Sequence, residues 1–415
     1  MRLLPDITPL QTSREFRLLW SGQLISQAGS AVRLVAIPYQ VYLLTGSSLA
    51  VGLIGLFSAV PLVVFGLFGG VIADRMDRRR LLLMTQACLA LVSVALAIAT
   101  QTGLVSLPLL YALTAIGASV AALDNPARSA LAPSLVDRRQ IPAAIALTQS
   151  QFQLAAIVGP ALAGVVIASF GLAPAYWIDV ATFGASLGAI FLMRIPAFVA
   201  EVDRPNALRA LVDGWAFLIA RRLLLATMAI DFFATFFGVA RALMPYFADK
   251  VFHVGPEGLG LLYAAPGVGA TAVVLTSGWT AHVSRRGLGI LAAVAVFGVA
   301  TAAFALVPPD AFPIALALLA VAYGADMVST IFRHTILQLE TPDALRGRLS
   351  AINLVFVAGG PQLGQVESGV VADLLTPQFS IISGGLACLG VVAAVGVLVP
   401  EVMRYRTALE EPVPA

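Results

Sequence analysis

The sequence predicts an all-α polytopic membrane protein with 12 transmembrane helices in two six-helix pseudo-repeats. Three observations predict it. Of 415 residues, 59% are apolar and 11% charged, against about 25% charged in a soluble domain. The apolar residues come in blocks long enough to cross a bilayer core of ~30 Å, which takes ~20 residues of helix. The basic residues gather between alternate blocks.

The blocks lie near 17–44, 49–73, 81–100, 105–126, 142–170 and 174–194, then 223–248, 257–281, 287–307, 311–337, 349–372 and 378–403. Each must be helical, because hydrocarbon offers no partner to the N–H and C=O groups of a lone strand. Two bundles, 1–194 and 223–403, are therefore expected, with a connector at 195–222 and a tail at 404–415. In the connector, Leu208, Leu211, Val212, Trp215, Leu218 and Ile219 recur at helical spacing with Arg209 and Asp213 between them, the pattern of a helix lying in the membrane interface.

Basic residues favour short cytoplasmic loops. With the N-terminus inside, 21 of the 25 basic residues fall in cytoplasmic segments, three (Arg33, Arg241, Arg333) fall within spans, and Lys250 alone lies outside. Both termini are thus expected in the cytoplasm. The net charge of +3 is spread over membrane-flanking loops with no aromatic-basic platform, so the lipid bilayer and not nucleic acid is the expected partner. Twenty-four arginines against one lysine, in an alanine-rich chain, point to a GC-rich bacterium and hence to its cytoplasmic (inner) membrane. The first apolar stretch is too long for a cleaved signal core and is read as a retained span. Cys88 and Cys388 both fall inside spans and are read as packing residues.

Weak self-similarity supports a duplicated bundle. Gly70, Ala73 and Arg78 match Gly278, Ala281 and Arg286 at an offset of 208, and Ala144-Ile145 matches Ala351-Ile352 at 207.

The loop after the second span reads Gly70-Val71-Ile72-Ala73-Asp74-Arg75-Met76-Asp77-Arg78-Arg79-Arg80-Leu81-Leu82. It resembles the major facilitator superfamily signature G-x-L-A-D-R-x-G-R-[KR]-x-x-L, departing at Ile72 and at Asp77, where glycine is usual. The resemblance implies the major facilitator fold. It also implies a gating latch in which Gly70 allows close helix contact while Asp74, Arg75 and Arg78 join Asp124, at the inner end of the fourth helix, in a charge cluster. The alternative is a simple basic anchor at the membrane surface. On the fifth helix, Ala155, Gly159, Pro160, Ala163 and Gly164 resemble a degenerate antiporter motif, and equally form a small-residue surface for helix packing. Further segments, including Phe16-Arg17-Leu18-Leu19-Trp20, Ala240-Arg241-Ala242-Leu243-Met244-Pro245 and Leu337-Gln338-Leu339-Glu340-Thr341-Pro342-Asp343, resemble the branch of the superfamily that contains the enterobactin exporter. Siderophore and drug efflux are what that resemblance implies.

Ionisable residues at membrane depth are costly and are functional candidates by default. There are eight: Arg33, Asp124, Asp179, Asp231, Arg241, Asp326, Arg333 and Glu367. Six fall on helices 1, 4, 7 and 10, which in the resembled fold line the central cavity. At ~1.5 Å of rise per residue, Asp326 is about fifteen residues into its helix, near the midplane, and is the first candidate for proton coupling. Asp231 is the second and Glu367 the third. Arg33, Arg241 and Arg333, with Gln23 and Gln27 one turn apart on helix 1, are the substrate-cavity candidates. Two other roles stand beside these: Asp326 and Arg333 neutralising each other, and the helix 1 amides bonding between helices. Asp179 reads as a packing or outer-gate residue.

No nucleotide-binding loop is present, and His253, His282 and His334 lie far apart in the chain. Neither an enzyme, a metal site nor a cofactor is expected; a proton gradient is the expected energy source. The expected function is a monomeric secondary active exporter moving a small-molecule substrate, a siderophore or amphipathic drug, by alternating access and proton antiport. Solute import and a non-transporting receptor or scaffold are the alternatives.

Overall fold

A computed structural model describes residues 6–194, 207–238 and 241–406, without the side chains of 67–75, 130, 207–213, 343, 344, 351 and 354. Residues 195–206 of the predicted connector 195–222 and residues 407–415 of the predicted tail 404–415 lie outside the described residues, as do the side chains of Asp74, Arg75, Leu208, Arg209, Leu211, Val212 and Asp213.

Among the described residues every regular element is helical. The long helices are α1 (Arg14–Thr45), α2 (Ser48–Arg75), α3 (Arg78–Thr102), α4 (Leu107–Leu131), α5 (Ile141–Phe170) and α6 (Leu172–Leu192). After a short helix at Ala207–Ala220 come α7 (Arg222–Gly238), α8 (Gly255–Thr276), α9 (Arg286–Phe304), α10 (Phe312–Glu340), α11 (Asp343–Leu374) and α12 (Pro377–Leu398). Among the described residues, ten stretches are long and apolar enough to cross a membrane. The more polar α1 and α11, at 32 residues each, also have the length.

Helix ends follow local chemistry. Ser13 accepts a hydrogen bond from the Phe16 amide at 3.1 Å and caps α1, and Gly46 ends it at φ 64°, where a side chain would be strained. Asp77, the residue that departs from the motif's glycine, accepts from the Arg80 amide at 2.8 Å and caps α3. Its φ of −57° needs no glycine, so the departure leaves the turn intact. The seventh span is irregular beyond α7. It continues as a 3-10 turn at Arg241–Leu243, a helical turn at Met244–Tyr246 and a π turn at Phe247–Val251.

Packing divides the chain into two compact units. One comprises Met1–Gly46, Leu56–Arg204 and Val254–Ala264; the other comprises Ser47–Gly55, Pro205–His253 and Ala265–Ala415. In the first, α1 packs on α5 and α6, and α3 on α4 and α6; in the second, α7 packs on α11 and α12, and α9 on α10 and α12. The pairings repeat with an offset of six helices. The core of the first unit gathers Leu19, Leu82, Leu131 and Ile190, and that of the second Leu224, Ile290, Phe332 and Ile336. Polarity is inverted relative to a soluble protein: Ser93 and Asp179 have no exposed surface while Leu91 and Val397 are 66% and 78% exposed. That is the pattern of a chain whose solvent is lipid.

Candidate functional site

The second unit brings together four of the predicted intramembrane charges. Asp231 on α7 and Arg333 on α10 form a buried ion pair, Oδ1 to Nη2, at 2.7 Å. Arg333 also donates to Ser329 Oγ at 3.2 Å and Thr330 Oγ1 at 2.8 Å, which aims the guanidinium across the helix gap. Asp231 Oδ2 is buried without a hydrogen-bond partner. Asp326, two turns before Arg333, lies within electrostatic reach of Asp231, Arg333 and Arg241, and Arg241 is hydrogen-bonded to Tyr323 on α10. Two carboxylates thus face two guanidiniums around α7 and α10. Charges at that depth are tolerable only when balanced in this way. Beside the pair, Thr227, Met228, Arg333, His334, Leu337 and Asn353 line a cavity of about 10 Å³, room for about one water.

Glu367, on α11, is half-buried, and its Oε2 is buried without a hydrogen-bond partner. It lies two residues beyond Gln365, which donates to Gln362 at 2.9 Å.

The other predicted cavity arginine is placed differently. Arg33 on α1 pairs with Asp179 on α6 at 3.3 Å and donates to Ser93 on α3 at 2.9 Å; Ser93 in turn donates to Asp179 at 2.6 Å. Its guanidinium lies 5.6 Å from the centre of the Phe183 ring, a cation–π contact. A second relay sits two turns further along α1, where Tyr176 donates to Gln40 at 2.7 Å and Gln40 to Thr100 at 2.9 Å. Both relays tie α1, α3 and α6 together inside the first unit. Of the helix 1 amides, Gln23 is buried, and Gln27 has a buried Oε1 without a hydrogen-bond partner.

Asp124 on α4 pairs with Arg128 one turn later at 2.7 Å, and accepts from Thr85 at 2.6 Å and Gln86 at 3.0 Å on α3. Of the residues predicted to form a latch, Gly70, Asp74 and Arg75 on α2 fall in the stretch 67–75 whose contacts lie outside those described, and Arg78 is half-buried at the start of α3.

The small residues of α5 are contact points. A Cβ on Gly159 would run into Ala31 on α1, and one on Gly164 would come 2.7 Å from the Pro256 carbonyl at the start of α8. Pro160 is buried between them, its carbonyl facing Gly260.

Sequence reasoning places Arg128 among the loop anchors and passes over Ser93, Thr85 and Tyr323. The i, i+4 spacing of Asp124 and Arg128 carries the signal for the first of these. The others are single hydroxyls in apolar helices and become visible only when their partners are placed.

Comparison with known proteins adds three findings. Residues 6–411 match the family described as transmembrane secretion effector. Enterobactin exporters of Shigella boydii, Citrobacter koseri and Escherichia coli are 28% identical over 404 residues, covering 97% of this chain and 96% of theirs. Among solved structures, a point mutant of the nucleoside transporter NupG superposes with a TM-score of 0.78 at 13% identity, covering 93% of this chain and 100% of that one. A transporter of the POT family, in complex with 5-aminolevulinic acid, superposes at 0.75 with 11% identity, covering 94% and 97%.

Proposed function

The chain belongs to the transmembrane secretion effector family of the major facilitator superfamily, and from that premise we propose that it exports a siderophore or amphipathic drug by proton antiport. It is a multi-pass membrane transporter; direction, coupling and substrate are the proposal. The bundles 1–194 and 223–403, joined by 195–222, are its moving bodies, with both termini in the cytoplasm of a bacterium and the latch of Gly70, Asp74, Arg75, Arg78 and Asp124 controlling their exchange.

The observation that carries the reading is the α7–α10 cluster: the Asp231–Arg333 pair at 2.7 Å with Asp326 alongside. Two acids against two arginines sum to no net charge. A proton on Asp326 leaves one positive charge in excess; a cationic substrate group gives the same charge, and a neutral donor occupies the same carboxylate without changing it. Proton and substrate therefore compete for one acceptor, which is the condition for exchanging them across the membrane. An anionic group would favour the protonated cluster and travel with the proton. The geometry thus supports substrates presenting hydroxyl, amine or amide donors to Asp326. The enterobactin exporters, similar along nearly the whole chain, support export of a siderophore.

The test is transport into everted vesicles containing the protein, with an imposed proton gradient, using enterobactin and the drug cation ethidium as probes. Gradient-dependent uptake of one or both is expected, and its loss in Asp326→Asn. Uptake that ignores the gradient, or survives unchanged in Asp326→Asn, would remove the coupling scheme.

A further inference from the structure

The gap between the start of α7 and the end of α12 is built differently from its counterpart in the first repeat. At the offset of 208 that matches Arg78 with Arg286, Arg14 corresponds to Arg222 and Glu15 to Leu223. Glu15 pairs with Arg14 at 3.1 Å and accepts from the Arg194 amide, just beyond α6, at 2.8 Å. One carboxylate thus neutralises the arginine and ties the start of α1 to the end of α6. Leu223 can do neither. Arg222 is exposed and forms no ion pair among the described residues.

Behind Arg222 the gap opens into a groove of about 620 Å³ within the second unit. Its α7 wall is Leu225, Ala226, Ala229, Phe233 and Phe237, which share one face of the helix; its α12 wall is made by valine, alanine and leucine side chains between Val391 and Val399. Phe233 and Phe237 stack with ring centres 6.3 Å apart at the far end from Arg222. Phe233, Ala394 and Leu398 are exposed, so the groove is open along its side. From Arg222 to Phe233 is eleven residues, ~16 Å of helix, about half of a ~30 Å hydrocarbon core. A methylene group takes up about the volume of a water molecule, ~30 Å³, so the groove has room for about twenty of them, the size of one acyl chain.

The rim is basic. Arg221 stands beside Arg222, its guanidinium 5.4 Å from the centre of the Phe217 ring. The short helix Pro400–Arg404, which packs on α7 and α12, adds Glu401 and Arg404, and these two charges offset each other. Arg221 and Arg222 remain as the excess.

We infer that this groove holds one acyl chain of a phospholipid with an anionic headgroup, its phosphate bound by Arg222 and attracted by Arg221. A guanidinium matches a phosphate in bidentate geometry, and the phosphate takes the place beside Arg222 that the Glu15 carboxylate takes beside Arg14. The walls offer no donor or acceptor to a polar solute, while their depth is that of a single leaflet. With the N-terminus inside, that leaflet is the cytoplasmic one. The bound lipid braces α7, the helix that carries Asp231, against α12. This goes beyond the exporter reading and does not depend on it.

The experiment uses the full chain in mild detergent, with phosphatidylglycerol and phosphatidylcholine of identical dioleoyl chains as probes, read by native mass spectrometry and by melting temperature. One phosphatidylglycerol should be retained in preference to phosphatidylcholine and should raise the melting temperature more. Arg222→Gln should weaken phosphatidylglycerol retention about fivefold, the worth of one arginine at a charged membrane surface, and leave phosphatidylcholine unchanged. Leu223→Glu, which restores the arrangement of the first repeat, should act in the same way. Ala394→Trp fills the groove and should weaken retention of both lipids, whereas Arg138→Gln, an exposed arginine of the first unit, should affect neither. Equal retention of the two lipids by wild type, unchanged retention in Arg222→Gln or Ala394→Trp, or an Arg138→Gln effect equal to that of Arg222→Gln overturns the inference. Displacement of phosphatidylglycerol by ethidium, one for one, would assign the groove to an amphipathic substrate and overturn it too. Should Ala394→Trp not fold, the two rim variants decide: weakened phosphatidylglycerol retention supports the inference and unchanged retention overturns it.

Discussion

Arg333 reaches across from α10 to Asp231 on α7, at 2.7 Å, although Asp326 stands seven residues before it on its own helix. Seven residues of helix are about 10 Å of rise, too long for a direct pair along one helix, so the salt bridge forms between helices. This links the spans that carry the coupling candidates.

Removing one member of this pair leaves an uncompensated buried charge, a loss of about 3–5 kcal/mol. Asp231→Ala and Arg333→Ala should each lower stability strongly in detergent unfolding, and the double variant should lose clearly less than the sum of the two. Strict additivity would mean that the pair does not form.

The same logic applies to Arg33 and Asp179. Asp179→Ala strands Arg33 beside Ser93 and Phe183 and should destabilise by about 3–5 kcal/mol, whereas Arg33→Met with Asp179→Leu should recover most of it. Unfolding monitored by tryptophan fluorescence checks this; equal losses in the single and double variants would contradict the assignment.

Asp77 caps α3, so Asp77→Ala should cost about 1 kcal/mol, while Asp77→Gly, which restores the motif's glycine, should cost only a few tenths. Equal costs would show that the side-chain bond to the Arg80 amide contributes nothing.

On α5, Gly159→Val drives a side chain into Ala31 of α1, and Gly164→Val drives one into the Pro256 carbonyl. Each should cost about 1–3 kcal/mol, read as a lower melting temperature. Wild-type stability in both would mean that these helices do not approach so closely.

The spans and the small-residue face of α5 were legible in the sequence because each depends on local composition or on spacing along one helix. Partner choice in the α7–α10 charge cluster was not legible, since periodicity shows which face a residue occupies and not which neighbour that face meets. Asp326 and Arg333 share a face, yet Arg333 bonds to α7. Arg33 and Arg241 read alike as cavity arginines, yet Arg33 pairs with Asp179 inside the first unit. Asp77 looked like a departure from the motif until its φ showed a helix cap.

Proton movement itself is the most direct measure of the proposed exchange at Asp326. Proteoliposomes loaded with the pH dye pyranine and given enterobactin without an imposed gradient should show proton flux opposite to substrate flux in wild type and none in Asp326→Asn. Enterobactin movement without proton movement, or an undiminished proton signal in Asp326→Asn, would contradict it.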